Sequence, residues 1–185
     1  MKPKKNAGFS SSESRCENII SITRITTPLG PMLAGATEKG ICLLEFGTRR
    51  ILLTEMQTMG KKMNAVFLPG KSKYFSRLEK QLNEYFSGKR TNFSVPMDIS
   101  GTDFQKKAWD ALLKIPYGET ISYKKQALLM GHGGAARAVG TANGENRISI
   151  LIPCHRVIAA DGTLAGYGGG LPRKKYLIDL EKQFS

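Results

Sequence analysis

One cysteine followed directly by a histidine is the part of this sequence best equipped for chemistry. Cys154 and His155 lie in the run Ile148-Ser-Ile-Leu-Ile-Pro-Cys-His-Arg-Val-Ile158, whose apolar residues predict a thiol held near the core. A thiol becomes a nucleophile when a neighbouring base or positive charge favours its thiolate, and His155 and Arg156 are the candidates for that role. The alternative, a buried structural cysteine at the end of a strand, stays open on this segment alone.

The residues before this segment predict a helix-turn-helix. A glycine-rich turn separates a predicted helix at residues 123–130, capped by Thr120 or Ser122, from a second helix at residues 135–143. The second helix consists almost entirely of small residues, and Arg137 is its only long side chain. Such a helix can press against a shallow surface such as DNA, although close packing inside the protein with Arg137 facing solvent explains the same pattern.

The rest of the chain supplies the elements that must position these groups. Residues 19–46 predict antiparallel strands, followed by a short helix at residues 49–60 and an amphipathic helix at residues 74–86. In the last predicted helix Tyr176, Leu177 and Leu180 are expected to pack inward. We therefore predict an α+β fold made of a disordered basic tail, a small N-terminal α/β domain and a mainly helical C-terminal domain. The predicted boundaries are 1–17, 18–98 and 99–185.

Composition limits the partners and the compartment. The 28 Lys and Arg residues exceed the 15 Asp and Glu residues and leave a net charge of +13, which favours a polyanion, most often nucleic acid, less often an anionic membrane surface. A basic protein without such a partner is the alternative.

Three widely spaced cysteines form neither a disulfide framework nor a zinc pattern, and they fit a reducing compartment such as the cytoplasm. No apolar run approaches the length of a membrane span, and residues 1–14 lack the apolar region of a secretory signal. We expect that segment to act at most as a non-specific DNA arm.

Several motifs, in consistent order and spacing over roughly residues 100–183, resemble the O6-alkylguanine-DNA alkyltransferases. They are Phe104-Gln105, Gly118-Glu-Thr-Ile-Ser-Tyr123, Ala136-Arg-Ala-Val-Gly140, Ile152-Pro-Cys-His-Arg-Val157 and Gly166-Tyr-Gly-Gly-Gly170. The first half of the chain matches only loosely. The resemblance implies a ribonuclease H-like N-terminal domain and a winged helix-turn-helix-like C-terminal domain that carries the reactive cysteine. It implies no metal and no organic cofactor.

The resemblance also assigns catalytic roles. Cys154 matches the acceptor thiol, and His155 matches the base that helps to form the thiolate through a water molecule. A bridging water suits an extended strand, in which adjacent side chains face opposite ways. Glu181 falls where the family's carboxylate orients this relay; from the residues alone it is either an inner carboxylate partnered by His155 or a solvated terminal glutamate. Asn146 matches the residue that steadies the turn before the thiol.

The expected DNA-binding residues follow from the same resemblance. Arg137 matches the arginine that fills the gap left in the duplex, and Tyr123 matches the tyrosine that helps to rotate the nucleotide and supports proton delivery to the leaving guanine. The remaining residues expected to contact DNA or to line the guanine pocket are Ser122, Lys124, Ala136, Tyr167 and Gly168. Two departures bear on DNA affinity: Arg147 stands where the family commonly has Pro, and Glu145 stands where bacterial relatives often carry a basic residue.

The function implied is direct DNA repair by a monomer in the cytoplasm. The alkyl group of O6-alkylguanine, and of O4-alkylthymine, in double-stranded DNA would pass irreversibly to Cys154 after the base is flipped out. Two other functions compete. A damage sensor of the alkyltransferase-like kind binds lesions without repairing them, but such relatives generally lack the cysteine. A thiol hydrolase using Cys154 and His155 predicts turnover without DNA, which the net charge and the Arg137 helix argue against.

Overall fold

A computed structural model describes residues 18–49 and 51–185, so the predicted tail at residues 1–17 lies outside the described residues. This part of the chain forms six strands, six α-helices and one short 3-10 turn, and the α+β fold class is confirmed. In chain order the elements are β1 Asn18–Ile25, β2 Met32–Ala36, β3 Ile41–Phe46, α1 Leu52–Met63, β4 Ala65–Pro69, α2 Phe75–Phe86, α3 Asp103–Leu113, β5 Ile121–Ser122, α4 Tyr123–Leu129, α5 Ala136–Gly144, the 3-10 turn Cys154–Arg156, β6 Val157–Ile158 and α6 Leu171–Gln183.

The N-terminal sheet has the strand order β3-β2-β1-β4. The pairs β1–β2 and β2–β3 are antiparallel, as the turn-separated apolar runs predict. Strand β4 pairs with β1 in parallel and has no counterpart in the sequence prediction. It is a five-residue apolar run directly after a helix, and only its pairing with a strand more than 40 residues earlier makes it a strand.

The two helices of the N-terminal half cover different parts of the sheet. Helix α1 begins three residues later than predicted, because Phe46 and Arg49 close a turn through the bond from Arg49 N to Phe46 O. It covers a small core around Leu43 and Met59. Helix α2 belongs instead to a larger core that includes β2 and β3 and continues into the C-terminal half, so the two halves share one apolar interior.

Local signals set the C-terminal helices. Thr102 and Gln105 form a reciprocal capping box at the start of α3, and the Ser122 hydroxyl group accepts from Lys125 N at the start of α4. Of the two predicted caps for α4, Ser122 is therefore the one used. Helices α4 and α5 pack against each other across a short turn and form the predicted helix-turn-helix. The prediction for Tyr176 was wrong: it is 40% exposed, whereas Leu177 and Leu180 are buried.

The segment before Cys154 is not an extended strand, which corrects the sequence interpretation. Bonds from Leu151 N to Ser149 O and from Ile152 N to Ile148 O coil the chain tightly. Ile150 adopts a φ of 73°, a conformation that β-branched residues rarely take, and its side chain is buried. Burial of this apolar segment therefore overrides the preference of its isoleucines for a strand, and Cys154 opens the 3-10 turn.

Candidate active site

Asn146 connects the coiled segment to the thiol. Its Nδ2 donates to the carbonyl oxygen of Ile152 at 2.9 Å and to Sγ of Cys154 at 3.3 Å, and its Oδ1 accepts from Ile148 N at 2.9 Å. Asn146 is 1% exposed and Cys154 is 9% exposed. One amide side chain thus holds both the backbone turn and the sulfur atom.

The thiol of Cys154 is held in its neutral form. Burial raises its pKa to about 11, and the hydrogen bond from Asn146 and the charges of Lys174 and Arg49 only partly oppose this effect. The carboxylate of Glu45 raises the pKa further. Because the thiolate is the nucleophilic form, the site needs a base to remove the proton near neutral pH.

His155 is the candidate for this base. Its Nε2 lies 2.7 Å from Oε1 of Glu181, which assigns the proton of the neutral ring to Nε2. Its Nδ1 has no hydrogen-bond partner among the described residues and remains available to accept a proton. Burial lowers the pKa of His155, so the ring is neutral at pH 7. No direct hydrogen bond joins it to Cys154 within the part of the chain that the structure describes.

Glu181 is the most heavily hydrogen-bonded carboxylate of the site. It accepts from His155, from Nε and Nη2 of Arg156 at 2.8 and 3.1 Å, from Tyr85 Oη at 2.7 Å and from Gly118 N at 3.2 Å. Burial would raise its pKa, but the hydrogen bonds and charges of His155 and Arg156 outweigh this and lower the pKa to about 2. Glu181 is therefore an ionised, buried residue and not a solvated terminal glutamate. Arg156 is engaged with it, so the positive charges acting on the thiol are those of Lys174 and Arg49.

Lys174 and Tyr123 hold the loop on one side of the thiol. Lys174 is fully buried, and its Nζ donates to the carbonyl oxygens of Val157, Ala165 and Gly166 at 2.6, 2.5 and 3.1 Å. Burial lowers its pKa to about 8. The Tyr123 hydroxyl group donates to the same Ala165 oxygen at 3.0 Å, so both side chains fix the loop that follows β6.

A second charge cluster lies on the other side, and sequence reasoning missed it. Arg49 donates from Nη1 to Glu45 at 2.8 Å and from Nη2 to Glu55 at 2.6 Å. It also donates to the carbonyl oxygens of Gly144, at the end of α5, and Asn146 at 2.8 and 3.5 Å. An arginine of the N-terminal half therefore holds the junction between the second helix of the helix-turn-helix and the thiol segment.

Some of the residues expected to face DNA lie away from these clusters. Arg137 and Lys124 are exposed near the starts of α5 and α4. Ala136 is partly buried beside Arg137, and Tyr167 packs against the core. Gly168 approaches the Arg49 guanidinium so closely that any side chain would overlap it. The DNA-binding roles of these residues, and of the α4 cap Ser122, stay predictions.

Comparison with known proteins decides the family. Residues 103–183 match the DNA binding domain of 6-O-methylguanine DNA methyltransferase, and residues 20–99 match its ribonuclease-like domain. A methylated-DNA–protein-cysteine methyltransferase of Methanosarcina barkeri is 45% identical over 85% of this chain and 94% of that protein. The chain belongs to the 6-O-methylguanine DNA methyltransferase family.

A sequence relative and a solved structure from Mycobacterium tuberculosis add to the comparison. A methylated-DNA–protein-cysteine methyltransferase is 59% identical over 108 residues, which are 58% of this chain and 66% of that protein. A crystal structure of M. tuberculosis OGT in complex with DNA superimposes with a TM-score of 0.75 at 42% identity and covers 90% of this chain and 94% of that one. Membership in the methyltransferase family confirms the resemblance inferred from the motifs around Cys154.

The structure adds to the family motifs residues that the sequence did not single out. Glu45 is an acidic residue inside the apolar run of β3, and this position could have predicted a buried carboxylate from the sequence. Tyr85 lies on the buried face of α2, and nothing local distinguishes Lys174 from the exposed Lys175 beside it. No group of His, Cys, Asp and Glu among the described residues is arranged to hold a metal ion. None of the described helices combines the length and apolar character that a membrane crossing requires.

Proposed function

We propose that this chain repairs alkylated DNA by taking the alkyl group from O6 of guanine, and from O4 of thymine, onto Sγ of Cys154. The observation that carries the proposal is the buried thiol of Cys154, which Asn146 holds next to a neutral His155 that is itself bonded to ionised Glu181. Similarity to methylated-DNA–protein-cysteine methyltransferases and to an OGT that binds DNA supports the same reaction.

The reaction is a displacement at the alkyl carbon. His155 Nδ1 accepts the Cys154 proton through a water molecule, the C–S bond forms as the C–O bond breaks, and the electron pair of that bond passes to the guanine. The leaving guanine takes up one proton, a transfer that Tyr123 is expected to support. The products are S-alkylcysteine and unmodified guanine, and because the thioether is stable each chain acts once.

Access to the thiol requires the base to leave the stack. An O6 substituent inside a duplex is closed to in-line attack, and extrusion costs a few kcal/mol. Arg137 is the second residue of α5 and is exposed, so its side chain can enter the duplex and offset that cost. The surplus of positively charged residues binds the phosphates. Since Cys154, His155, Glu181 and Asn146 all lie in one chain, a monomer suffices, and the DNA substrate favours the cytoplasm as its compartment.

Mass measurement tests the reaction. Duplex DNA with one O6-methylguanine is incubated with the protein, and we expect one methyl group on the peptide that contains Cys154. Cys154→Ala should remain at its original mass, whereas Cys42→Ala, which alters a buried thiol elsewhere, should be methylated like the wild type. Unchanged DNA together with an unmodified protein, or many turnovers per chain, contradicts the proposal.

A second comparison tests base flipping. Arg137→Ala should slow repair of duplex DNA while leaving the reaction with free O6-benzylguanine nearly unchanged, because the free base needs no extrusion. Lys175→Ala is the matched control, because it also removes one positive charge from an exposed helix face. Equal slowing on both substrates would show that Arg137 does not act on flipping.

A further inference from the structure

The carboxylate that orients His155 receives a hydrogen bond from the other half of the molecule. Tyr85, on α2, donates its hydroxyl hydrogen to Oε1 of Glu181 at 2.7 Å, across 96 residues of sequence. His155 Nε2 lies 2.7 Å from the same oxygen atom. The bond that orients the base and the bond from Tyr85 therefore compete for one acceptor.

The Tyr85 hydroxyl group is not required for packing. The ring is fully buried and contacts the rings of Phe93 and Tyr117 at centroid distances of 5.4 and 6.1 Å, contacts that a phenylalanine would keep. Tyr117, in the same aromatic cluster, has a buried hydroxyl group without a hydrogen-bond partner among the described residues. The cluster thus contains one hydroxyl group bonded to Glu181 and one that is not.

Oxygen Oε1 is shared by three donors, whereas Oε2 is shared by two. Arg156 Nη2 joins Tyr85 and His155 at Oε1, and Arg156 Nε and Gly118 N bind Oε2. Each donor withdraws electron density from the carboxylate and weakens it as an acceptor for the others. Removal of the Tyr85 donor would leave both oxygens satisfied and would strengthen the bond to His155.

We propose that Tyr85 is a positioning residue of the proton relay, whose hydroxyl group limits how strongly Glu181 holds the His155 proton. The N-terminal half of the chain thereby adjusts the base that activates Cys154. This role presupposes that His155 is the base, as proposed above. The other charged or titratable groups that face the relay are Arg156, Tyr117 and Lys174, and none of them changes when Tyr85 loses its hydroxyl group.

Nuclear magnetic resonance of the two histidines tests the proposal without alkylation. In Tyr85→Phe the stronger bond to Glu181 should move the His155 Nε2 proton downfield, while His132, which is exposed, serves as the internal reference. Tyr117→Phe removes the unpartnered hydroxyl group of the same cluster and should leave the His155 signal in place. A His155 signal unchanged in Tyr85→Phe, or moved equally in both variants, overturns the proposal.

The alkylation rate provides the functional readout. A more basic His155 stays protonated, and unable to accept the thiol proton, up to a higher pH. With free O6-benzylguanine as probe, Tyr85→Phe should therefore move the acid limb of the rate profile upward by about 0.5 pH unit, while Tyr117→Phe follows the wild type. The same pH profile for the wild type and both variants would contradict the proposed role of Tyr85. If none of the three proteins is alkylated, the proposed function is rejected, and the resonance of His155 alone then tests the role of Tyr85.

Discussion

Glu181 and Glu45 are both buried carboxylates bonded to an arginine, and they lie in the two charge clusters that flank the thiol segment. The pKa of Glu181 falls to about 2, whereas burial raises the pKa of Glu45 to about 7. Glu181 accepts five hydrogen bonds that engage both of its oxygens. Glu45 accepts from Arg49 and Ser149 on Oε1 only, and its Oε2 has no partner among the described residues.

The difference shows that an arginine alone does not keep a buried carboxylate ionised. Arg49 divides its charge between two carboxylates, Glu45 and Glu55, whereas among the described residues Arg156 pairs with one carboxylate, Glu181. Desolvation of a carboxylate is offset only when the remaining lone pairs are also bonded. The cluster at Glu181 suits a relay that must stay charged, and the cluster at Glu45 suits a structural junction that tolerates a proton.

The largest effect is expected for Glu181→Gln. The substitution removes the charge that Arg156 and His155 face, and we expect a loss of about 3 to 5 kcal/mol in the free energy of unfolding at pH 7. The pKa of Glu181 is lower in the folded protein than in the unfolded chain. Its contribution to the free energy of unfolding is therefore present above pH 4.5, the ordinary pKa of a glutamate, and is lost as the pH falls through about 2. Urea unfolding measures it.

Glu84→Gln is the matched control, because Glu84 pairs with Arg90 in a partly exposed bridge that contributes less than about 1 kcal/mol. Similar losses for the Glu181 and Glu84 variants at pH 7 would contradict the comparison.

A smaller effect is expected for Arg49→Met. It removes the arginine donor from two buried carboxylates, Glu45 and Glu55, and from the Gly144 carbonyl, at a cost of about 3 kcal/mol at pH 8. The loss should be smaller at pH 6, because Glu45 can then take up a proton. Unfolding free energies at the two pH values measure the difference.

Arg173→Met is the control for this prediction. Arg173 also joins the two halves, through the carbonyl oxygens of Leu29 and Gly169, but it pairs with no carboxylate among the described residues. Its loss should be the same at both pH values, and an equally pH-independent loss for Arg49→Met would show that Glu45 does not change its protonation between pH 6 and pH 8.

The smallest effect is expected for Glu45→Gln. A raised folded-state pKa means that the folded protein binds the proton more tightly than the unfolded chain does, so this contribution is present below pH 4.5 and is lost as the pH rises through about 7. The variant has no such titration. Its free energy of unfolding should therefore rise by about 1 to 2 kcal/mol relative to that of the wild type between pH 5 and pH 8. Thermal unfolding across this range measures it, and parallel curves for the two proteins would show that the pKa of Glu45 is ordinary.

Local signals in the sequence predicted much of the fold. The strands β1 to β3 and the helices α2, α4, α5 and α6 follow from apolar periodicity and from caps such as Ser122, whose partner lies three residues away. Strand β4 and the coil before Cys154 could not be predicted in this way. The first depends on pairing with β1, and the second depends on burial of residues whose own preference is for a strand.

For the site, the sequence by itself determined the identity of the chemistry. Cys154, its neighbour His155 and the order of the motifs around them are local properties, and through their resemblance to the alkyltransferases they predict an alkyl-accepting thiol. Only the tertiary structure decided how that thiol is controlled. The bonds from Tyr85 to Glu181 and from Arg49 to Gly144 each span about 95 residues of sequence. Since hydrogen bonding and burial depend on which groups meet after folding, no pattern within either segment could reveal them.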